Sequence, residues 1–262
     1  MKLRAWDAAQ ALAAAALVAF LLLPVLALAL TLPWSDFVAG LRNPMLLPAL
    51  RLSLFTSACS LSLVVLLGSP LAWLVARRPG RLSRILDTVT QLPAVIPPAV
   101  AGVGLLLAFG RRGLVGGFLD RHGLALAFTT PAVVLAETFV SAPFFVQAAI
   151  ASFRRVDENL LVVARTLGAS PFRAFLKVGV PLAAPGLLGG AAMSWARSLG
   201  EFGATLLFAG NLTGRTQTLP LAVYTAMESD LRAAQALSLV MVVVAFALLL
   251  VLRRVAAGPR HA

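Results

Sequence analysis

The chain has 262 residues, of which 60% are hydrophobic and 12% are charged, and its mean hydropathy is +0.93. So much apolar surface exceeds what a single soluble core could bury, and lipid must therefore solvate most of the chain. The formal net charge of +12 does not indicate nucleic-acid binding, because the basic residues separate hydrophobic runs, where such charges contact anionic lipid headgroups. The one cysteine, Cys59, excludes a disulfide within the chain and a cysteine metal site.

Six apolar stretches approach or reach the roughly 20 residues that a helix needs to cross a bilayer. They lie near residues 9–32, 51–76, 93–110, 129–150, 181–209 and 232–253. The first follows Lys2 and Arg4 and resembles a cleaved signal peptide, but its roughly 24 residues exceed the usual signal core, which favours a retained span. The third opens with Pro93, Pro97 and Pro98, which a helix tolerates in its first turn.

The distribution of basic residues predicts the orientation of these spans. With the N-terminus in the cytoplasm, fourteen basic residues fall on the cytoplasmic side and seven on the outer side. The cytoplasmic set is Lys2, Arg4, Arg77, Arg78, Arg81, Arg84, Arg154, Arg155, Arg165, Arg173, Lys177, Arg253, Arg254 and Arg260. The outer set is Arg42, Arg51, Arg111, Arg112, Arg121, Arg215 and Arg232. Cytoplasmic segments carry an excess of Lys and Arg, so a multi-pass protein with both termini in the cytoplasm is predicted.

The cytoplasmic segment that follows the second span has an amphipathic pattern. Its apolar residues repeat at helical spacing: Leu82, Ile85, Leu86, Val89 and Leu92. Arg81, Arg84 and Asp87 lie between them, which predicts a short helix at the membrane interface. A helix that merely covers the bundle is an equally good interpretation. Because the chain shows no internal repeat and no linker, residues 1–262 are predicted to form a single transmembrane domain.

Three ionisable residues lie within predicted spans: Glu137 in the fourth, and Arg197 and Glu201 in the fifth. An isolated charge at the bilayer centre costs about 2.5 to 3.5 kcal/mol, so pairing or a wet cavity is required. Arg197 and Glu201 are four residues apart and can pair along a helix, either beside a transport pathway or as a structural ion pair. Glu137 either pairs with Arg197 or stays protonated, and a proton-relay role stays open.

The fifth predicted span contains a stripe of small residues. Ala192, Ala196, Gly200 and Ala204 recur at intervals of four. Small side chains let membrane helices approach closely, so this stripe is predicted to be a packing face.

A charged segment, residues 153–180, separates the fourth and fifth spans and cannot itself cross the membrane. Five of its residues share one face of a predicted helix: Leu160, Leu161, Ala164, Leu167 and Gly168. Gly168 permits a tight turn, and Ser170 followed by Pro171 is typical of a helix start. We therefore expect a helix, a turn and a second helix, with re-entry into the membrane at Val180 and Pro181, and docking to a soluble partner. A solvated loop that only connects two spans would not require apolar residues at helical spacing.

No nucleotide-binding or catalytic motif accompanies this segment. The pattern GxxxxGK[ST] is absent, and the nearest string, GNLTGRTQ at 210–217, has Arg in place of Lys. His122 falls in a predicted outer loop and His261 in the tail, so neither can serve chemistry within the membrane. The chain is therefore not predicted to be an enzyme or to hold a cofactor, and any ATP that drives transport must bind another polypeptide.

The cytoplasmic segment resembles the signature of permease subunits of ATP-binding-cassette (ABC) importers. The matching positions are Ala164, Gly168, Val178 and Pro181. Val162 and Val163 stand where the family has Glu and Ala, so the spacing is kept and the acidic residue is lost. The resemblance implies that the segment fits a cleft on a cytoplasmic ABC ATPase dimer, with Arg165 and Arg173 near acidic residues at its rim. The residues implied in this coupling are Leu160, Val163, Ala164, Arg165, Leu167, Gly168, Ala169, Ser170 and Pro171.

The stretch from Trp195 to Tyr224 resembles molybdate permeases closely and sulfate permeases more loosely. The strings that carry this resemblance are ARSLGEFGAT, AGN and GRTQTLPLAVY. With the coupling signature and the six spans, it extends over most of residues 45–250. It implies an all-α polytopic membrane protein with six transmembrane helices and the type I ABC importer (MetI-like) permease architecture, located in the cell inner membrane.

The same resemblance implies the substrate and the partners. A homodimer of the chain would bind two ATPase subunits and receive molybdate, or a related tetrahedral oxyanion, from an extracytoplasmic binding protein. Arg197, Arg215, Thr216 and Gln217 are then candidate contacts for the anion or the binding protein. Tungstate and sulfate stay open as substrates, because selectivity is expected to lie mostly in the binding protein. The remaining alternative, a proton-coupled secondary transporter, would not explain the cytoplasmic helix pair.

Overall fold

The computed structural model describes the backbone of residues 2–257 and the side chains of residues 6–251. The side chains of Lys2, Arg4, Arg253, Arg254, Arg260 and His261, to which the sequence assigned positions, lie outside this description. Every regular element of the described backbone is a helix, which confirms the predicted all-α class. The helices are α1 (Lys2–Leu30), α2 (Trp34–Leu41), α3 (Leu46–Arg77), α4 (Arg81–Val95), α5 (Pro98–Phe109), α6 (Gly116–Arg121), α7 (Thr130–Arg154), α8 (Glu158–Thr166), α9 (Pro171–Ala174), α10 (Val180–Leu199), α11 (Gly203–Ala209), α12 (Leu219–Ser229) and α13 (Leu231–Ala257).

Five helical runs are long and apolar enough to cross a membrane, and α4 with α5 makes a sixth if the two count as one broken span. The five runs are Trp6–Leu30, Leu46–Arg77, Thr130–Arg154, Pro171–Leu199 and Leu231–Val251. The described part of the chain therefore supports the predicted set of spans, with corrections to the third and the fifth.

The third span is not the single helix that residues 93–110 predict. Pro93 lies inside α4, and the chain bends by 113° between α4 and α5. Ile96 is extended, with ψ of 128°, because a residue that precedes proline is displaced from the helical region. Pro98 then takes the first turn of α5, where its missing N–H is tolerated. With 12 residues, α5 is roughly 18 Å long, too short to cross the membrane alone.

The helix predicted after the second span is present as α4, and it packs against α7. The Gln147 amide nitrogen donates to Asp87 Oδ1 at 2.9 Å and to Thr90 Oγ1 at 3.3 Å. Arg154 forms an ion pair with Asp87 at 3.4 Å. These contacts attach one face of α4 to the C-terminal half of α7, while Leu82, Ile85, Val89 and Leu92 stay exposed.

The fifth span begins earlier and ends earlier than residues 181–209 predict. The helical run continues from Pro171 through a π-helical turn, Phe175–Gly179, into α10, so there is no break at Pro181. The wider turn directly precedes Pro181, which removes a helical donor and whose ring crowds the preceding turn. The run stops at Leu199, and a short break at 200–202 separates it from α11. The predicted small stripe is therefore divided, because Ala204 belongs to α11.

Three buried clusters hold the bundle together. The first joins α3, α7 and the segment after α7, around Phe145, Ile150 and Phe153. The second joins α5, α7 and α11, around Val133 and Phe208. The third joins the N-terminal end of α3 to α12 and α13. The helices α3 and α7 each take part in two of the three clusters, and they pack against each other at the centre of the fold.

Candidate coupling and pathway site

The segment that was predicted to be cytoplasmic, which we call the coupling segment (residues 153–180), begins with a well-formed short helix. The Asp157 carboxylate accepts a hydrogen bond from Asn159 N at 2.9 Å and caps the start of α8. At the other end Gly168 has a φ of +86°, a left-handed conformation that glycine adopts without strain. Ala169 N donates to Ala164 O at 3.0 Å, which closes the turn. The predicted turn at Gly168 is confirmed.

The second helix of the segment starts as the sequence predicts. Ser170 Oγ accepts from Arg173 N at 3.3 Å, and Pro171 occupies the first helical position. The side chain of Ser170 thus satisfies a donor that the helix leaves free. The predicted helix, turn and helix are present, although the second helix continues directly into α10.

The apolar residues of α8 lie on two faces, which corrects the single face predicted for them. Leu161 is 8% exposed and Ala164 packs against the protein core, whereas Leu160, Val163 and Leu167 are 46%, 53% and 83% exposed. A helix turns by about 100° per residue, so positions 160, 163 and 167 form one stripe and positions 161 and 164 another. The exposed stripe, and not the predicted set, is the surface available to a partner.

Phe172 extends this exposed surface onto α9, since its side chain is 68% exposed. We call Leu160, Val163, Leu167 and Phe172 the docking stripe. Sequence reasoning missed Phe172, although an aromatic residue directly after a capped Pro171 is a readable signal of an exposed helix start. Exposed apolar residues grouped in this way mark an interaction surface.

The C-terminal end of α3 fixes the coupling segment to the bundle through Arg77. One guanidinium nitrogen donates to Phe153 O at 2.8 Å and to Val156 O at 2.7 Å. The guanidinium also lies 5.0 Å from the centroid of Trp73. Arg77 thus adds side-chain hydrogen bonds to carbonyls at and just after the end of α7, and it joins this end to α3.

Trp73 of α3 is the centre of an aromatic cluster that lies next to the hydrogen bonds between Arg77 and the end of α7. Its ring meets Phe153 and Phe175 edge to face, each with centroids 5.2 Å apart. Gly179 lies so close that an added Cβ would be 2.6 Å from the Trp73 ring. Phe175 and Gly179 belong to the π-helical turn, so the cluster connects α3 and α7 to the start of α10. The sequence analysis did not identify it.

The predicted ion pair between Arg197 and Glu201 is present, with 2.7 Å between Nη2 and Oε2. The Glu201 side chain is 1% exposed and that of Arg197 is 27% exposed. Glu201 lies beyond the end of α10, and its Oε1 accepts from Ala204 N at 2.8 Å in the first turn of α11. One carboxylate thus joins the last turn of α10 to the first turn of α11 across the break.

Glu137 does not pair with Arg197, which corrects one of the two predicted alternatives. Its side chain is buried, and Oε1 accepts from Thr56 Oγ1 at 2.9 Å. No described basic side chain lies within ion-pair distance of it. Glu137 therefore belongs to the packing between α3 and α7.

The Thr56 contact is part of a polar seam along the buried face of α3. Ser53 accepts from Leu219 N at 2.7 Å, Ser57 accepts from Trp195 Nε1 at 2.9 Å, and Ser60 accepts from Thr138 at 3.2 Å. We define the polar seam as Ser53, Thr56, Ser57 and Ser60 with these partners. In sequence, the four residues recur at helical spacing within an apolar span, a signal that the sequence analysis did not use. Such hydrogen bonds connect helices where lipid removes the hydrophobic driving force.

The outer-loop residues predicted to contact the anion or the binding protein differ in exposure. Arg215 is exposed, and its carbonyl accepts from Thr130 Oγ1 at 2.9 Å. Thr216 and Gln217 are 0% and 3% exposed. Thr216 Oγ1 accepts from Leu212 N, and Gln217 donates to Thr225, so both side chains stabilise the loop. Their burial does not favour a contact with the anion or the binding protein, and that contact stays a prediction.

Over residues 68–258 the chain matches the family described as "Binding-protein-dependent transport system inner membrane component". The chain belongs to this family. It is therefore a multi-pass inner-membrane component of a binding-protein-dependent transport system, and the ATPase of such a system is a separate polypeptide. The predicted class of transport subunit is confirmed.

Several curated family members resemble the chain over most of its length. The molybdenum transport system permease protein ModB of Mycobacterium tuberculosis is 47% identical over 228 residues, covering 87% of this chain and 86% of the relative. The probable transport system permease protein NifC of Clostridium pasteurianum is 42% identical, covering 77% and 71%. ModB of Escherichia coli is 41% identical, covering 69% and 80%.

Solved transporter structures share the fold of this inner-membrane component. A bacterial ABC transporter involved in the import of alginate gives a TM-score of 0.77 at 18% identity, covering 98% of this chain and 97% of that one. The MetNI methionine ABC transporter gives 0.65 at 19% identity, covering 82% and 95%. At such identities the likeness concerns architecture alone, and it confirms the predicted importer permease fold.

Proposed function

We propose that this chain is the permease subunit of an ATP-driven importer that passes molybdate, or a related tetrahedral oxyanion, from an extracytoplasmic binding protein to the cytoplasm. The observation that carries the proposal is the similarity to relatives named molybdenum transport permeases, at 41% to 47% identity over 69% to 87% of this chain. The net charge of +12 agrees with an anionic substrate. Residues 1–262 act as one transmembrane domain with both termini in the cytoplasm.

The permease works as a homodimer on a dimer of cytoplasmic ATPase subunits. The docking stripe enters a cleft on the ATPase, and its apolar side chains supply the contact where the family's acidic residue is replaced by Val162. Arg165 lies on another face of α8, so it does not contribute to this contact. Lipid surrounds the outer faces of the bundle, and nucleic acid has no part in the function.

Movement of the ATPase reaches the pathway along one continuous helix. The run Pro171–Leu199 begins at the docking stripe and ends two residues after Arg197. At about 1.5 Å per residue, it connects the cytoplasm to the Arg197–Glu201 pair without a hinge. The break at 200–202 then separates this moving helix from α11. Gly168, Ala169, Ser170 and Pro171 shape the turn that presents the stripe.

Arg197 assists anion passage through its partly exposed guanidinium, while Glu201 balances its charge so that the oxyanion is not held tightly. Arg215 attracts the anion or the binding protein at the outer mouth. Thr216, Gln217 and Glu137 act by holding the structure around them. The roles are divided by burial. The partly or fully exposed guanidinium groups contact the anion, whereas the buried polar side chains form hydrogen bonds within the protein.

The decisive experiment measures uptake of labelled molybdate into vesicles that contain the permease, its ATPase and a supplied binding protein. We expect uptake that needs both ATP and the binding protein, with competition by tungstate stronger than by sulfate. An ATPase variant that binds but does not hydrolyse ATP is the control. Uptake that persists with this variant would favour a proton-coupled secondary transporter, and stronger competition by sulfate would assign the chain to sulfate import.

A further inference from the structure

A cavity of about 260 Å³ lies between the inner end of α3 and the coupling segment. Three arginines and one glutamate line it: Arg77, Arg78, Arg165 and Glu158. Three positive charges against one negative charge make its wall basic. None of the roles proposed above uses this cavity.

The arginines of this cavity are not engaged by carboxylates. Within residues 6–251, no Asp or Glu oxygen lies within ion-pair distance of Arg77, Arg78 or Arg165. Arg77 Nε is buried and has no hydrogen-bond partner among the described groups, although the other end of the guanidinium donates to α7 carbonyls. A buried donor without a partner is unfavourable, and it adds to the uncompensated positive character of this wall.

The cavity and the docking stripe lie on opposite faces of α8. Positions 158, 162 and 165, which line the cavity, fall within about 60° of one another around the helix. Positions 160, 163 and 167 of the docking stripe also cluster within about 60°, on the other side of the axis. An ATPase that binds the stripe therefore leaves the cavity open.

The position of the cavity relates it to the membrane surface. Arg77 is the last residue of a helix long enough to span the bilayer, and Trp73 lines the cavity one turn earlier. Tryptophan and arginine at the end of a span are typical of the headgroup region. Arginine is also the side chain best suited to tetrahedral oxyanions, because its N–H groups match two oxygens at once.

We propose that this cavity is a binding site for a tetrahedral oxyanion, either the phosphate of an anionic inner-leaflet lipid or a free anion of the cytoplasm. The anion bridges Arg78 at the end of α3 and Arg165 on α8. Its binding stabilises the coupling segment against the bundle. The proposal does not depend on which solute the permease transports.

The test compares two double variants of the permease assembled with its ATPase in nanodiscs. Arg78→Gln with Arg165→Gln removes two exposed arginines of the cavity and leaves the Arg77 contacts with α7 intact. Arg81→Gln with Arg84→Gln is the control, because it removes the same charge from exposed residues of α4 that do not line the cavity. One arm counts phosphatidylglycerol molecules retained in native mass spectrometry, and the other measures equilibrium binding of labelled inorganic phosphate in phosphatidylcholine nanodiscs.

We expect the cavity variant to bind one of the two probes about tenfold more weakly than both the wild type and the control variant. Loss in the lipid arm assigns the site to a headgroup, and loss in the phosphate arm assigns it to a free anion. Equal retention of both probes by the cavity and control variants would overturn the proposal. Binding that the isolated permease shows and the ATPase abolishes would also overturn it, because a carboxylate of the ATPase would then occupy the cavity.

Discussion

The coupling segment and the polar seam stabilise two ends of the same helices by different forces. At the inner end, Trp73, Phe153, Phe175 and Gly179 bury large rings against a small residue, and Arg77 satisfies the carbonyls of α7. Along α3, hydroxyl groups hydrogen-bond to neighbouring helices. Near water, burial of apolar rings is strongly favourable, whereas in lipid it is not and polar contacts connect the helices. Changes to the rings should therefore have larger effects than changes to single hydroxyls.

The largest expected effect comes from Gly179→Leu. An added Cβ would lie 2.6 Å from the Trp73 ring, so the side chain cannot enter without displacing the cluster, at a cost of about 1–3 kcal/mol or more. We expect uptake to be lost and thermal stability in detergent to fall. Gly189→Ala is the control, because among the described residues no atom outside the local helix backbone and the two adjacent residues lies within 4 Å of its added Cβ. Equal stability of the two variants would contradict the role of the cluster.

The next effect is expected from Val163→Asp on the docking stripe. Val163 and Val162 are adjacent and similarly exposed, at 53% and 55%, but they lie on different faces of α8. A charge at a buried apolar contact should reduce ATP-dependent uptake by about tenfold or more, as truncating an interface hot spot does. Val162→Asp should retain most of the uptake. Comparable losses in both variants would show that the exposed stripe does not define the ATPase contact.

The third comparison concerns the two buried carboxylates, Glu201 and Glu137, whose removal should have different effects on uptake. Glu201→Gln removes the charge that Arg197 pairs with at 2.7 Å, and loss of one partner of a buried pair costs about 3–5 kcal/mol, less here because Arg197 is partly exposed. Several-fold loss of uptake is expected. Glu137→Gln keeps an acceptor for Thr56 and breaks no described ion pair, so uptake should be nearly unchanged. A larger loss for Glu137→Gln would point to proton transfer at that position.

The smallest effect is expected from Ser57→Ala in the polar seam. It removes one hydrogen bond to Trp195, and interhelical hydrogen bonds in membranes contribute about 0.6 kcal/mol on average. Stability in detergent should fall slightly and uptake should persist. Ser62→Ala is the control, since Ser62 bonds only to Ala58 O of its own helix. If Ser57→Ala lowered stability in detergent as much as Gly179→Leu does, the polar seam would contribute as much to the packing as the ring cluster.

The local features of the coupling segment were predictable because they depend on neighbouring residues. The caps at Ser170 and Pro171 and the left-handed turn at Gly168 are properties of the chain within one or two turns. The ion pair between Arg197 and Glu201 was predictable for the same reason. The sequence did not distinguish the buried face of α8 from its exposed face. The spacing of apolar residues predicts a helix, but it does not show which side of that helix packs against the bundle.

Interpretations that depended on distant partners were less successful. An ion pair with Arg197 was one of the two alternatives for Glu137, but the fold brings Thr56 to it from 81 positions away. Thr216 and Gln217 are polar loop residues, yet contacts with Leu212 and Thr225 bury them. The breaks at Ile96 and after Leu199 interrupt apolar runs whose composition does not distinguish one helix from two.

Composition, apolar runs and short motifs by themselves determined that this protein is an all-helical inner-membrane permease, and they located the short helix pair between its fourth and fifth spans. These properties follow from solvation and from local backbone preferences, which each stretch of the chain carries independently. Only the tertiary structure decided which polar groups meet, which apolar residues remain exposed for a partner, and where three arginines enclose a cavity. Those outcomes depend on residues far apart in the chain, whose proximity exists only after the helices have packed.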